Sequence, residues 1–219
     1  MTVERTMAFV DLAGFTALTE VHGDDAAVDL IDAFTDIAGA ACRDAGAELV
    51  KSIGDAVMLA AATPAAGLHA VRRVFHDAYE QDNFPEPRAG LHHGPVVARG
   101  GDYFGTTVNL AARIAGRAAT GQALVTGMVL DAAIADDLDV VPLGPHRLRN
   151  VLDPVELWAI ELCATHVDVS IDPVCRMRVS CQAAVARVRH DGVERRFCSL
   201  GCVAALAINP ERYLAGAVM

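Results

Sequence analysis

Short apolar runs alternate with longer stretches of helical spacing along this chain, and Gly-Asp, Gly-Pro and Gly-Gly pairs punctuate them. Thr6 to Val10 is an apolar run ending in Asp11. It predicts a buried strand that leads through Leu12-Ala13-Gly14-Phe15-Thr16 into a helix N-terminus. From Ala26 to Arg43 the apolar residues Val28, Ile31, Phe34, Ile37 and Ala38 fall near one helical face, with Asp29, Asp32 and Asp36 on the solvated side. Between Ala47 and Ala60 two apolar runs meet at Gly54-Asp55, which predicts a hairpin between two buried strands. A second helix follows over Pro64 to Tyr79. Arg88 to Arg99 reads as a strand, a Gly94-Pro95 turn and a return strand. Gly100 to Gly105 is a loop into a helix over Thr106 to Ala118. Gly121 to Thr126 is a strand and Gly127 to Ala135 a helix, and strands follow around Leu138 to Leu143 and Pro154 to Ile160. Strands alternating with helices, some of them paired directly, predict an α+β sheet domain.

The chain has 219 residues, 53% of them hydrophobic, which is enough for one large domain or for a medium domain with a small appendage. A formal net charge of -10 argues against nucleic acid or an anionic membrane as the main partner. It still allows a nucleotide, because a few local cations or metal ions override the global charge. No apolar run is long enough to span a bilayer, and Met1 to Val10 carries Glu4 and no long apolar h-region. The expectation is a cytoplasmic protein. Four of the six cysteines, Cys175, Cys181, Cys198 and Cys202, crowd the C-terminal part, whereas Cys42 and Cys163 stand alone. In a reducing compartment such a cluster points to metal or redox chemistry more than to structural disulfides.

The candidate chemistry lies at polar residues set in apolar surroundings. Asp11 can cap the following helix, or it can hold a metal beside helix amides that favour phosphate. Asp55 can simply favour its turn while Lys51 extends its stem to water. The alternative is that the hairpin presents both charges at a site, since neither is buried cheaply without a partner. His92 and His93 are adjacent on a strand, point to opposite faces, and make poor joint ligands. Asn109 and Arg113 sit at i and i+4, so both project from one face of a small-residue helix. An amide and a guanidinium so placed suit ribose and phosphate recognition. Arg147 and Arg149 offer further cations.

Asp11 with Gly14-Phe15-Thr16, Lys51-x-Ile-Gly-Asp55, and Asp102-x-x-Gly-x-x-Val-Asn109-x-x-x-Arg113 occur in this order. Together they resemble the catalytic domain of the class III nucleotidyl cyclases, over roughly residues 1 to 163. The Gly100-Gly101-Asp102-Tyr103-Phe104 string is also similar to the Gly-Gly-Asp-Glu-Phe loop of diguanylate cyclases. However, the helix after it, Lys51 and Asp11 all follow the class III pattern. The resemblance implies a ferredoxin-like sheet with covering helices and an adenylate cyclase that turns ATP into cyclic AMP and pyrophosphate. It makes Asp11 and Asp55 the carboxylates for two Mg²⁺ or Mn²⁺ ions per active site. It makes Lys51 and Asp102 the pair that selects adenine, Asn109 the ribose-orienting amide and Arg113 the transition-state cation. Arg149 would correspond to a triphosphate-binding lysine, although Arg-Asn stands here where Lys-Gly is common. The family builds its active site between two such domains, so a homodimer with composite sites is implied, and the short stretch Val97 to Gly105 resembles bacterial members with a reduced dimerisation arm. A guanylyl cyclase is a competing reading, against which Lys51 argues. So is a silent or metal- or redox-regulated nucleotide-binding dimer.

Beyond a linker at 164–170, residues 171–219 contain Asp172-Pro173-Val174-Cys175-Arg176-Met177, Phe197-Cys198-Ser199-x-x-Cys202 and Asn209-Pro210-Glu211-Arg212-Tyr213. These resemble the YHS domain, a small module of bacterial metal-handling proteins. Arg176 stands where a glycine usually follows the first cysteine, which questions the usual backbone of that turn. By the resemblance, Cys175, Cys198 and Cys202 are thiolate ligands for a soft or borderline metal, a set incomplete without a histidine such as His190. The competing reading makes them small buried apolar residues. The Cys198-x-x-x-Cys202 spacing places both sulfurs on one helix face if the helix includes both.

Overall fold

The computed structural model describes residues 1–162 and 169–214. Its core begins with β1 (Thr2–Leu12), α1 (Phe15–His22), α2 (Asp24–Ala45), β2 (Glu48–Ile53), β3 (Ala56–Ala61), α3 (Pro64–Tyr79) and β4 (Pro87–Arg99). Then come β5 (Asp102–Phe104), α4 (Thr106–Ala115), β6 (Gln122–Val125), α5 (Gly127–Ala135), β7 (Val140–His146) and β8 (Val155–Glu161). The strands form one sheet in the order β2-β3-β1-β4-β6-β8-β7, with β5 paired to β4. The first four follow the ferredoxin-like arrangement, with β1 antiparallel to both β3 and β4 at the centre.

The period-2 alternation of β1 separates the two faces of the sheet. Ala8, Val10 and Leu12 point into the main core with Phe34 and Ala38 of α2, Leu68, Val71 and Phe75 of α3, and Val129 of α5. Met7 joins Met58, Ala60, Val96 and Ala111 on the opposite face, against which α4 packs. Gly90 lets α4 approach this closely. A Cβ there would collide with the backbone nitrogen of Ala115 and lie 2.7 Å from the carbonyl oxygen of Ala111.

Three expectations from the sequence need correction. Residues 87–99 form one continuous strand instead of two joined at Gly94-Pro95. Pro95 lies between the stretch of β4 paired to β6 (89–91) and the stretch paired to β5 (97–99), so one edge of β4 carries no strand there. That is where a residue without an N–H is tolerated. The actual reversal is at Gly100-Gly101, whose φ values of 62° and 75° suit a tight hairpin turn, and the expected loop contains β5. Strand β2 is mostly exposed because it is the sheet edge, and only β3 of that hairpin is buried. Val28 is 54% exposed, and Ala27 takes the buried position beside it on α2.

The C-terminal segment holds β9 (Val169–Ile171), β10 (Arg178–Ser180), β11 (Ala186–His190), β12 (Val193–Phe197), α6 (Leu200–Ile208) and α7 (Pro210–Leu214), with two small hairpins. The expected linker lies outside the described residues except for 169 and 170, which belong to β9. Val174, Cys175, Phe197, Cys202 and Leu206 share a core with Leu18 of α1 and Ala27 of α2. Two further ties join the segment to the sheet domain. The amide of Arg178 donates to the carbonyl of Phe84 at 3.1 Å, and the guanidinium of Arg178 stacks 3.4 Å over the Tyr79 ring. Asp172 is fully buried and organises the segment from inside. Its Oδ1 accepts from the amides of Val174 (2.9 Å) and Cys175 (3.4 Å), and its Oδ2 accepts from the amide of Cys198 (2.9 Å).

Replacing Gly90 by alanine is expected to cost about 2–3 kcal/mol, because backbone atoms cannot yield as a side chain would; urea unfolding checks this. Asp172→Ala strands buried amide donors at about 1–3 kcal/mol each. Hydrogen exchange at Val174 and Cys198 and alkylation of Cys175 should accelerate, while the exchange of β1 stays slow.

Candidate active site on the α4 face of the sheet

Asp11 lies one residue before the end of β1, on the same face as Met7, and is in register with Ala56 of β3 and Arg88 of β4. That register decides its role. Nε and Nη2 of Arg88 donate to Asp11 Oδ2 at 2.9 and 2.5 Å. Asp11 does not cap α1, whose N-cap is Gly14 in the left-handed region (φ 77°) with no side-chain cap. From the other side Asp55 arrives in the β2–β3 turn, where its carbonyl accepts from the amide of Leu12 at 3.3 Å. Burial and the charge of Asp11 push the Asp55 pKa up to about 6. Two carboxylates crowded this way favour a shared cation, and their hard oxygen donors fit Mg²⁺ or Mn²⁺.

Lys51 lies opposite Met58 on β2, on the same side of the sheet. Its Nζ donates to Asp102 Oδ2 at 2.5 Å, and the hydroxyl of Tyr103 donates to Glu48 at 2.9 Å, so β5 is tied across to β2. The Lys51 bond, with a further one from the Tyr103 amide, holds the Asp102 carboxyl below the usual carboxylate range. Asn109 and Arg113 share one wall of a hollow of about 250 Å³ whose other wall is Asn150, Val151 and Leu152. Arg149 is exposed and immediately precedes that wall. Asn150, in the left-handed region (φ 60°), turns the chain there. No hydrogen bond or ion pair joins the Asp11–Asp55 group to the Asn109–Arg113 group among the described residues.

His92 and His93 face apart, as expected. His92 Nδ1 pairs with Thr126 Oγ1 at 2.7 Å and His93 Nδ1 with Thr6 Oγ1 at 2.9 Å. The sequence reading missed Arg88, because only the β1–β4 register reveals its alignment with Asp11.

The three cysteines of the C-terminal segment do converge. Cys198 Sγ lies 3.3 Å from Cys175 Sγ and 3.7 Å from Cys202 Sγ. Cys198 precedes α6 instead of lying on it, since Ser199 is the N-cap and accepts from the Cys202 amide at 3.1 Å. His190 is not their neighbour: it pairs with Asp191 at 3.1 Å. The histidine at the cluster is His22, the last residue of α1, and no spacing in the sequence singles it out.

No helix among the described residues is long and apolar enough to cross a membrane. A pH-sensitive adenylate cyclase of Mycobacterium tuberculosis is 40% identical over 167 residues, covering 73% of this chain and 41% of that protein. An adenylate cyclase of Streptomyces coelicolor is 35% identical over 138 residues, covering 62% of this chain and 35% of that protein. The chain therefore spans about two fifths of the length of the first of these curated relatives, or less. Among solved structures, the adenylyl cyclase CyaB from P. aeruginosa superposes with a TM-score of 0.62 at 20% identity, over 78% of this chain and 98% of that one, which shows a common fold. Residues 2–161 match the model of the adenylate and guanylate cyclase catalytic domain, and the chain belongs to that family.

Proposed function

We propose that this chain is an adenylate cyclase, converting ATP to 3′,5′-cyclic AMP and pyrophosphate in a homodimer with composite active sites. The observation that carries the choice of nucleotide is the Lys51–Asp102 pair, an ammonium and a carboxylate 2.5 Å apart on the α4 face. Lys51 donates to adenine N1 and Asp102 accepts from the adenine amino group, whereas guanine offers the opposite pattern at both atoms.

Asp11 and Asp55 would hold two Mg²⁺ or Mn²⁺ ions, which supply charge neutralisation on the triphosphate and acidify the ribose 3′-hydroxyl. The 3′-oxygen gives up its proton to solvent and forms a bond to the α-phosphorus, while the bond from that phosphorus to the bridging oxygen breaks and pyrophosphate leaves. Asn109 orients the ribose, Arg113 meets the charge that builds on the α-phosphate, and Arg149 binds the triphosphate. Arg113 makes no ion pair among the described residues, so its charge is available to a phosphate. That no hydrogen bond or ion pair joins the carboxylate pair to the Asn109–Arg113 wall among the described residues fits assembly from two copies. So do Ile53, Val97, Phe104 and Leu152, which are apolar yet 49%, 43%, 50% and 90% exposed near these groups.

The 171–219 segment is read as a YHS domain with a regulatory role. Its support is contact: a Cβ at Gly14 would lie 2.9 Å from the Cβ of Arg176, so the segment rests on the turn just after Asp11.

The purified full chain, given Mn²⁺ or Mg²⁺ with ATP or GTP separately, is expected to form cyclic AMP and little cyclic GMP. Arg113→Ala should lower kcat by about 10²–10³, and Asp55→Ala should abolish turnover. Lys51→Ala should lower kcat/KM for ATP by about 10- to 100-fold while the ATP:GTP preference narrows. Absence of cyclic product from either nucleotide with either metal overturns the reading.

A further inference from the structure

His22 closes helix α1 of the cyclase fold, yet its Nε2 points at the thiols of the C-terminal segment. It lies 3.5 Å from Cys198 Sγ and 3.6 Å from Cys202 Sγ. With Cys175 included, the four ligand atoms lie within 4.8 Å of one another. Metal–sulfur bonds of about 2.3 Å and metal–nitrogen bonds of about 2.0–2.1 Å give a tetrahedral ion edges of about 3.8 Å between sulfurs and about 3.5 Å between sulfur and nitrogen. The Cys198–Cys202 separation of 3.7 Å and the two sulfur–nitrogen separations match those edges, and Cys175–Cys198 at 3.3 Å is slightly tighter. These separations are far beyond a disulfide bond of about 2.05 Å.

The surroundings hold the donors in place. Cys175 and Cys202 are fully buried. The buried carboxylate of Asp172 fixes the amides of Cys175 and Cys198, and the N-cap Ser199 fixes the amide of Cys202. Backbone anchoring of this kind orients ligands before an ion arrives. Three thiolates and an imidazole select a borderline ion such as Zn²⁺ over Mg²⁺ or Ca²⁺.

We propose that His22 is the fourth ligand, with Cys175, Cys198 and Cys202, of one tetrahedral site for a divalent cation of the zinc class, so that the ion crosslinks helix α1 to the C-terminal segment. It deepens the metal-holding reading of the three cysteines and is independent of the nucleotide chemistry. The consequence lies in the other end of the same helix. Arg176, next to ligand Cys175, bears on Gly14. An ion at the cluster therefore fixes α1 at both ends, and α1 begins directly after the Asp11–Gly14 turn.

The test is titration of the reduced full chain with Co²⁺, followed by displacement with Zn²⁺. Wild type is expected to take up one Co²⁺ per chain, with the visible d–d bands and thiolate charge-transfer absorption of a tetrahedral site, and to lose them on adding one equivalent of Zn²⁺. His22→Ala should weaken uptake by at least about 100-fold. His22→Cys keeps a donor in place and should retain uptake with stronger charge-transfer absorption, which decides the matter if the alanine variant does not fold. His190→Ala should match wild type. The proposal is overturned by a reduced wild type with no tetrahedral spectrum, by a folded His22→Ala with unchanged affinity and spectrum, or by a His22→Cys spectrum identical to wild type. None of these readouts uses cyclase activity, so failure of the nucleotide reading leaves the outcome interpretable.

Discussion

The constraint on which this structure depends is a carboxylate set near the end of its most central strand. Asp11 is 19% exposed at its side chain, close enough to the core that it requires a cationic partner. The antiparallel register of β1 with β4 delivers Arg88 to it, and the β2–β3 turn delivers Asp55 from the other side. Each of these strands is fixed elsewhere by ordinary hydrophobic alternation, so the charged group is assembled by apolar packing remote from it. The pair of carboxylates repels itself and Arg88 only partly offsets that. A multivalent cation would relieve the repulsion that the fold imposes by bringing the carboxylates together.

The sheet's two faces are covered differently. One face is covered by α2, α3 and α5 and holds most of the large buried side chains. The other is covered among the described residues by α4 and the 148–151 segment, and it carries Lys51, Asp102 and the Asn109 and Arg113 of α4. Gly90 draws α4 onto β4, so the helix carrying Asn109 and Arg113 is positioned by backbone contact. Groups placed by backbone hold their geometry better than groups placed by long side chains, which matters where orientation is the source of rate.

Much of this was legible in the sequence because the relevant signals are local. The Gly54-Asp55 turn, the Pro64–Tyr79 helix and the i, i+4 relation of Asn109 and Arg113 each depend on a few neighbouring residues. What the sequence did not disclose depends on register. Pro95 reads as a turn residue until the gap between the β6 and β5 pairings of β4 is known. Arg88 is an ordinary cation until β4 is aligned on β1. His22 falls in an amphipathic helix with nothing to distinguish it, whereas His190 sits among the cysteines in sequence and beside Asp191 in space.

Arg176 shows how a strained residue can be informative. It adopts φ 64°, a conformation that costs a non-glycine residue of order 1 kcal/mol. A glycine would avoid that cost, but it would place no side chain against Gly14. Here the side chain covers the left-handed glycine between Asp11 and α1, and its charge, with that of Arg178, acts on the half-buried Glu86 two residues before Arg88. The strained turn thus packs on Gly14 just after β1 and acts by charge on Glu86 just before β4, the two strands that set the Asp11–Arg88 pair. A glycine in its place would relax the turn and leave the C-terminal segment with one fewer hold on the carboxylate end of the sheet.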